Sequence, residues 1–290
     1  RLTVGLQGVS VSERAYQQAL SFCNERVQGV APGYKEAGPI IRHPDVQRML
    51  AYMKSITEAS RALTYTACAE VDFTAGDLPK DDLDQHKRRL GLLTPIVKGW
   101  CTETAQEVAS LSLQCHGGMG YIEETGIAQI VRDARILPIY EGTNGIQAMD
   151  LVVRKIIGDK GLAINELIAD MRKSLSSLLP GSPLLSSQID RFKGSVDDLE
   201  KTVSLLLKHS TNRKFSGSVA FDVLMMTSTI TAAWLMFVSV ERAKLALEGN
   251  KISSEFFDDK FAIAQYFIDS ILPRYVGHFI TISSTEPVVQ

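Results

Sequence analysis

At 290 residues, with 45% hydrophobic residues and a formal net charge of −2, the chain is long enough to bury a substantial core and offers no electrostatic case for binding nucleic acid or an anionic membrane. Its four cysteines, Cys23, Cys68, Cys101 and Cys115, are widely spaced with no CxxC pair; this argues against a zinc site or disulfide framework and fits a reducing, cytoplasmic setting. The chain opens on Arg1, not Met, and shows no signal-peptide pattern, so it is expected to be a fragment or processed product.

Helical periodicity dominates from the start, and no run alternates as a half-buried strand would. The first helix is expected over about 2–26, with Leu2, Leu6, Val9, Tyr16, Ala19 and Cys23 on one face. A loop rich in Gly and Pro, Val27 to His43, separates it from a second helix at about 44–75, which Pro44 opens and whose buried face carries Met49, Met53, Ile56, Leu63 and Ala67. The third, at about 82–115, stacks Leu93, Val97, Trp100, Thr104, Val108, Leu111 and Cys115, and Asp81, Asp82 and Asp84 favour the positive end of its dipole. Within it, His86-Lys87-Arg88-Arg89 reads as a solvated face. Shorter helices follow at about 124–135 and 142–157.

After a break near Gly158–Gly161, helical pattern resumes at about 162–179, and PGSPLLSS at 180–187 reads as a linker. Phe192, Val196, Leu199, Val203 and Leu206 mark another amphipathic helix, and a last helix is expected from about Ser254 to Leu272. Between them, the 18 residues from Val223 to Val240 carry no charge, which is just within membrane-spanning length. Thr227, Ser228, Thr229 and Thr231 dilute the run, and Asp222 and Glu241 close it without a basic flank, so a buried core helix is expected instead. The fold class is all-α: an antiparallel helical bundle over 1–158, then a second helical bundle over 159–290.

Two clusters carry chemistry. In Gln114-Cys115-His116-Gly117-Gly118-Met119-Gly120-Tyr121, three glycines directly after a long helix allow positive φ and close approach to a ligand, although a helix cap followed by a turn has the same composition. No strand precedes these glycines and their spacing is wrong for a Rossmann fingerprint. The second cluster, Ile139-Tyr140-Glu141-Gly142-Thr143-Asn144-Gly145-Ile146-Gln147, places a carboxylate at the mouth of a helix. A dipole-stabilising Glu is one reading. The apolar approach through Ile136, Leu137 and Ile139 suggests another, a partly desolvated Glu141 whose raised pKa suits a general base.

Together, QCHGGMGY and VRDARILPIYEGTNGIQ resemble the acyl-CoA dehydrogenase family, whose pattern is Q-x-x-G-G-x-G-[YF], R-D-A-[KR], then I-Y-E-G-T-x-x-I-Q at the same interval. Upstream, Arg1 and Glu25-Arg26-Val27-Gln28-Gly29 match an Arg and an E-R-x-Q-F-G motif, except that the Phe is missing. The resemblance covers about residues 1–157; the rest, with His43-Pro44-Asp45-Val46, is similar to a larger subgroup that includes enzymes like 3-methylmercaptopropionyl-CoA dehydrogenase.

The resemblance implies an FAD-dependent dehydrogenase in which Glu141 removes the α-proton of an acyl-CoA thioester while its own N–H bonds the thioester oxygen. It implies that Gly142 lies against the thioester with Tyr140 nearby, and that Arg1 lies near the CoA moiety. It places Thr143, Asn144 and Gly145 on FAD, and Gln114, Cys115, His116, Gly117 and Gly118 on the adenosine end of a FAD held mainly by a neighbouring subunit. Arg26, with Gln28, falls on that cofactor's pyrophosphate, although Arg26 also suits a helix-end cation. It further implies a homodimer or homotetramer that passes electrons to electron-transferring flavoprotein. His116 and Cys115 read as loop and core residues, and no metal site is expected. The family's N-terminal helical and middle β-domains have no counterpart in this sequence, so the piece alone is expected to be inactive. An oxidase or monooxygenase sharing the proton abstraction, and a non-catalytic helical module, are the competing classes.

Overall fold

The computed structural model describes residues 1–178, 182–184 and 186–285, so Pro180, Gly181 and Leu185 of the expected linker lie outside the described residues. Ten α-helices longer than four residues carry the described chain, with one short α-helical turn at Gly118–Tyr121, and no strand forms among the described residues beyond an isolated bridge between Val27 and Pro39.

Helix α1 spans Leu2–Glu25. Of the expected face, Val9, Ala19 and Cys23 are buried and Leu2 and Tyr16 are half-buried against the core, but Leu6 is exposed, and the inward stripe is completed by Val4, Gly5, Gly8, Ser12 and Ala15. These small residues let α1 lie directly on the third helix, and a Cβ on Gly8 would stand 2.5 Å from the Cys101 carbonyl oxygen. The loop after α1 is tied down by Ile40 N–H donating to the Arg26 carbonyl at 2.8 Å. Helix α2 runs Pro44–Ala75 with Pro44 in its first turn, and all five expected core residues are buried. Helix α3, Lys80–His116, is 37 residues long; Asp81 and Asp82 occupy its first turn and the predicted face is inside.

Helix α4 covers Ile127–Ile136. Helix α5 begins at Asn144 instead of 142, because Glu141 (φ 56°) and Gly142 (φ 83°) are left-handed; it runs to Met149 and continues as π-helical turns over Asp150–Ile157. Beyond it lie α6 (Leu162–Leu178), α7 (Ser186–Lys208), α8 (Arg213–Glu248) and α9 (Ser254–Tyr266). The chain then passes through π-helical Phe267–Ile271 and a 3₁₀ turn, Leu272–Arg274, into α10, Tyr275–Ser284, which lies beyond the last helix expected from the sequence.

The uncharged run lies inside α8. This is the one helix among the described residues long and apolar enough to cross a membrane, yet 78% of its most apolar window is buried within the protein. It packs against α2, α3, α5, α9 and α10 as the expected core helix. Two of its buried hydroxyls bond back along the helix, Ser228 to the Leu224 carbonyl at 2.6 Å and Thr231 to that of Thr227 at 2.7 Å, which lets these polar side chains sit in an apolar interior.

A single apolar core runs from Ala15 through Ile282, joining both halves. Charged contacts stitch its rim, and here the basic run departs from expectation. Arg88 pairs with Glu166 and Arg89 with Asp170, each at 2.6 Å, while His86 meets Glu70 at 2.7 Å, so this face is an inter-helix seam and not a solvated surface. On the other side α9 grips α2 through Lys54–Asp259 and Lys260–Glu58, both at 2.5 Å.

The helix contacts give a paired test with opposite signs. Gly8→Ala is expected to lower stability by about 1–3 kcal/mol, since α1 must lift off the α3 backbone. Gly194→Ala, in α7 where a new Cβ meets nothing within 4 Å, should raise it by about 0.5–1 kcal/mol. Urea unfolding of the two variants checks both.

Candidate active site

The end of α3 creates the first cluster. Gly117 closes the helix with φ 58° and ψ −144°, a conformation that L side chains rarely adopt, and the chain turns back at once through Gly118–Tyr121. The reversal opens a cavity of about 410 Å³ lined by Arg26, Gln28, Gln114, Cys115, His116, Gly117 and Gly118, with Phe22, Ile40 and Met119 as apolar walls. Seven residues singled out in two distant stretches of sequence therefore meet in one place. A Cβ on Gly117 or Gly118 would touch nothing, so the rim is open.

Within the cavity the roles divide. Arg26 is exposed and its guanidinium donates to Gln28 Oε1 at 3.3 Å, so Gln28 holds the arginine. His116 is 8% exposed, stacks on Phe22 at 4.4 Å and donates from Nδ1 to the Ser112 carbonyl at 2.7 Å. Cys115 is turned inward; the hydrogen-bonded Cys23 thiol and then burial push it far above the usual thiol range, which leaves a neutral wall atom and no thiolate.

The second cluster is the loop from Pro138 to Asn144, closed by the Asn144 N–H on the Pro138 carbonyl at 2.9 Å. Glu141 sits at its tip, one of three non-glycine residues with positive φ among those described, and its side chain is exposed. The expectation of a carboxylate desolvated by Ile136, Leu137 and Ile139 is therefore corrected: Ile136 and Ile139 are themselves 48% and 46% exposed, and the left-handed turn points residue 141 away from the core. The loop's carbonyls turn inward, where Gln147 Nε2 donates to those of Glu141 at 3.4 Å and Gly142 at 3.2 Å. A Cβ on Gly142 would sit 2.9 Å from that same Nε2, so a side chain there would displace the Gln147 amide, and the positive φ favours glycine independently. The Glu141 N–H meets no acceptor among the described residues.

Arg1 belongs to this second cluster. It donates to Gln147 Oε1 at 3.0 Å and pairs with the 8%-exposed Asp150 at 2.6 Å, beside a cavity of about 340 Å³ that it lines with Ile146, Met149, Asp150, Val153 and Arg154. The Tyr140 hydroxyl is spent on Gln7 of α1. Thr143 caps α5 and Gly145 is exposed.

Asn144 requires a second correction. Its side chain is 3% exposed and points into α3, where its amide nitrogen donates to Thr102 Oγ1 and Glu103 Oε1, both at 2.9 Å, and to the Gly99 carbonyl at 3.2 Å. No group of it remains for a cofactor. Its Oδ1 accepts from Lys98 Nζ at 2.7 Å. Sequence reasoning passed over Lys98 because it is a lone cation in an apolar helix stretch, and Gln147 because it was read as a motif letter without a partner. The lysine is fully buried, and desolvation pushes its pKa down to about 8 against the upward pull of Glu103.

Residues 1–156 match the family described as acyl-CoA dehydrogenase, C-terminal domain, and residues 164–289 match one described as acetyl-CoA dehydrogenase C-terminal like. Over 98% of its length the chain is 41% identical to 3-methylmercaptopropionyl-CoA dehydrogenase of Ruegeria pomeroyi, covering 49% of that protein. Over its whole length it is 29% identical to the broad-specificity linear acyl-CoA dehydrogenase FadE5 of Mycobacterium tuberculosis, again covering 49%. The chain thus spans about half the length of the curated relatives it matches. Among solved structures, an acyl-CoA dehydrogenase complexed with FAD from Bacillus anthracis superposes with a TM-score of 0.72 at 20% identity, over 97% of this chain and 48% of that one. Caenorhabditis elegans ACDH-11 in complex with C11-CoA gives 0.68 at 20% identity, over 100% and 47%. These two likenesses concern the fold.

The buried lysine makes a pH prediction. Its folded pKa of about 8 lies below the ordinary 10.5, so between those values the unfolded chain holds a proton that the folded chain has released. Stability attributable to Lys98 therefore rises as pH increases from about 8 to about 10.5, by at most roughly 2–3 kcal/mol. Urea midpoints at pH 8 and pH 10 should show a larger upward change for the wild-type chain than for Lys98→Met; equal changes would assign the titration elsewhere.

Proposed function

The chain belongs to the acyl-CoA dehydrogenase family, and from that premise we propose that it is the C-terminal, proton-abstracting half of an FAD-dependent enzyme that introduces an α,β double bond into an acyl-CoA thioester. The observation that carries this reading is the backbone at Glu141: one residue presents an outward carboxylate and an unpaired N–H on the same loop tip. A thioester whose carbonyl oxygen accepts that N–H brings its α-carbon within reach of the carboxylate. The carboxylate takes the α-proton, and the N–H stabilises negative charge as it develops on the oxygen. When bound, FAD accepts the β-hydride. Glu141 is open to water in this chain, so the surface that would exclude water from it is supplied by the bound acyl group, the flavin and protein beyond the described residues. Gly142 keeps the approach clear, and Arg1, through Gln147, holds the loop carbonyls turned inward, which adds a positioning role to its placement near CoA.

The cavity at the end of α3 fits one end of a flavin dinucleotide: a guanidinium for phosphate, glycines without a Cβ at the rim, and Phe22, Ile40 and Met119 as apolar walls. We assign Arg26, supported by Gln28, to the pyrophosphate, and residues Gln114 to Gly118 to the adenosine end. Gln114 lies about 24 Å along α3 from Lys98, at 1.5 Å per residue, so one chain's cavity and base loop are well separated. That separation supports an assembly, homodimer or homotetramer, in which the cavity serves a partner's cofactor. Thr143 and Gly145 remain candidate flavin contacts at the α5 N-terminus. We further read residues 1–158 as the catalytic bundle and 159–290 as an appended bundle, electron-transferring flavoprotein as the acceptor, and the cytoplasm as the setting, in keeping with four unbridged cysteines.

In the full-length protein, Glu141→Gln should lower the dehydrogenation rate by about 10²–10⁴-fold with FAD content unchanged. An unaltered rate would remove Glu141 as the base. For the chain studied alone, titration with FAD should show no flavin spectral perturbation at micromolar concentrations; tight binding would contradict the sharing of the cofactor with other parts of the protein.

A further inference from the structure

The loop that presents Glu141 is a seven-residue excursion, and its geometry depends on what fixes its ends. Its final residue, Asn144, closes the loop on Pro138 and is the loop's main anchor to the rigid core: its amide is gripped from both sides by one stretch of α3. Thr102, Glu103 and the Gly99 carbonyl take the nitrogen, and Lys98 donates to the oxygen. The same turn of α3 is packed against α8: a Cβ on Gly99 would stand 2.5 Å from Leu224 Cδ2.

Lys98 is the unusual member. Its side chain is 0% exposed between buried Val97 and Gly99, and a charge removed from water is costly even when paired. A hydrocarbon of similar length would fill the same space without that desolvation cost. What the ammonium adds is direction: it determines which face of the Asn144 amide meets which turn of α3, and thereby the register of the loop against the helix.

We infer that Lys98 is a positioning residue for the dehydrogenation, acting through Asn144 to hold the Glu141 carboxylate where it meets the substrate's α-carbon. The inference rests on the assignment of Glu141 as base. A base displaced by about 1 Å loses on the order of a hundredfold in rate without losing its chemistry, so the effect belongs in kcat more than in KM.

The test uses the full-length flavoprotein and four variants: Lys98→Met, Lys98→Gln, Asn144→Ala and Glu141→Gln. Lys98→Met should lower kcat at least about tenfold, with KM for acyl-CoA and bound FAD within about twofold of wild type. The isotope effect for α-deuterated substrate should grow, because proton abstraction becomes more rate-limiting. Lys98→Gln, which keeps a donor for Asn144 Oδ1, should recover most of the lost kcat. Full activity of Lys98→Met would overturn the inference, as would a loss of kcat matched by proportionate loss of FAD and of Tm, which marks a fold defect. Should Lys98→Met not fold, Asn144→Ala is read by the same criteria. Glu141→Gln separates the two failures: if it is active, the base is misassigned; if it is inactive while Lys98→Met is unimpaired, only the positioning role falls.

Discussion

Everything that bears on function in this chain is referred to one rigid object, α3. Small residues on α1 let that helix sit on α3 at backbone distance, α2 buries Met53, Ile56 and Leu63 in the same core, and α8 closes on Gly99. A helix held on three sides cannot bend or slide to accommodate a ligand. The turn that makes the cavity of about 410 Å³ is simply where α3 stops, and the Glu141 loop is fastened to its middle. Precision in the reaction proposed above is therefore inherited from helix packing, the most reproducible kind of contact that a protein interior offers.

The base loop shows how a strained element persists. Two consecutive left-handed residues, one of them a glutamate, cost free energy on the order of 1 kcal/mol or more for the non-glycine member. The surroundings over-determine them: Asn144 closes the loop, Tyr140 is tied to Gln7, and Gln147 takes the carbonyls. With the carbonyls satisfied from within, the amide of residue 141 is left facing out beside its own carboxylate. The proposed donor and the proposed base lie side by side because they belong to one residue.

Much of this was legible in the sequence. Periods of three and four residues located α2 and α3 and their buried faces, and the uncharged run was read as core because hydroxyls dilute it; in the structure two of those hydroxyls, Ser228 and Thr231, bond their own helix. The glycine turn and Arg26 were paired only through the family resemblance, since no periodicity connects two segments some ninety residues apart. What was not legible has a common physical cause: a side chain's partner across a packed interface leaves no trace in its own neighbourhood. Leu6 looked like core because it is large, whereas α1 needed small residues to approach α3. Arg88 and Arg89 looked solvated until α6 supplied Glu166 and Asp170. Asn144 looked like a ligand contact because it follows the motif's threonine, and Glu141 looked covered because isoleucines precede it; the left-handed turn reverses both.

Helix α8 lies downstream of the boundary between the two matched families, yet it packs directly on α3 and α5, which fix the loop that carries Glu141. The boundary drawn from sequence is thus not a seam along which the molecule comes apart. A chain ended at the first boundary would leave Trp100 without Phe267 and the Gly99 notch open, and a chain begun at the second would have α8 with one apolar flank bare. Each half is the other's missing hydrophobic layer, so heat or denaturant should dissolve them in a single cooperative event, and the ancestry recorded as two modules survives in the folded molecule as one thermodynamic body.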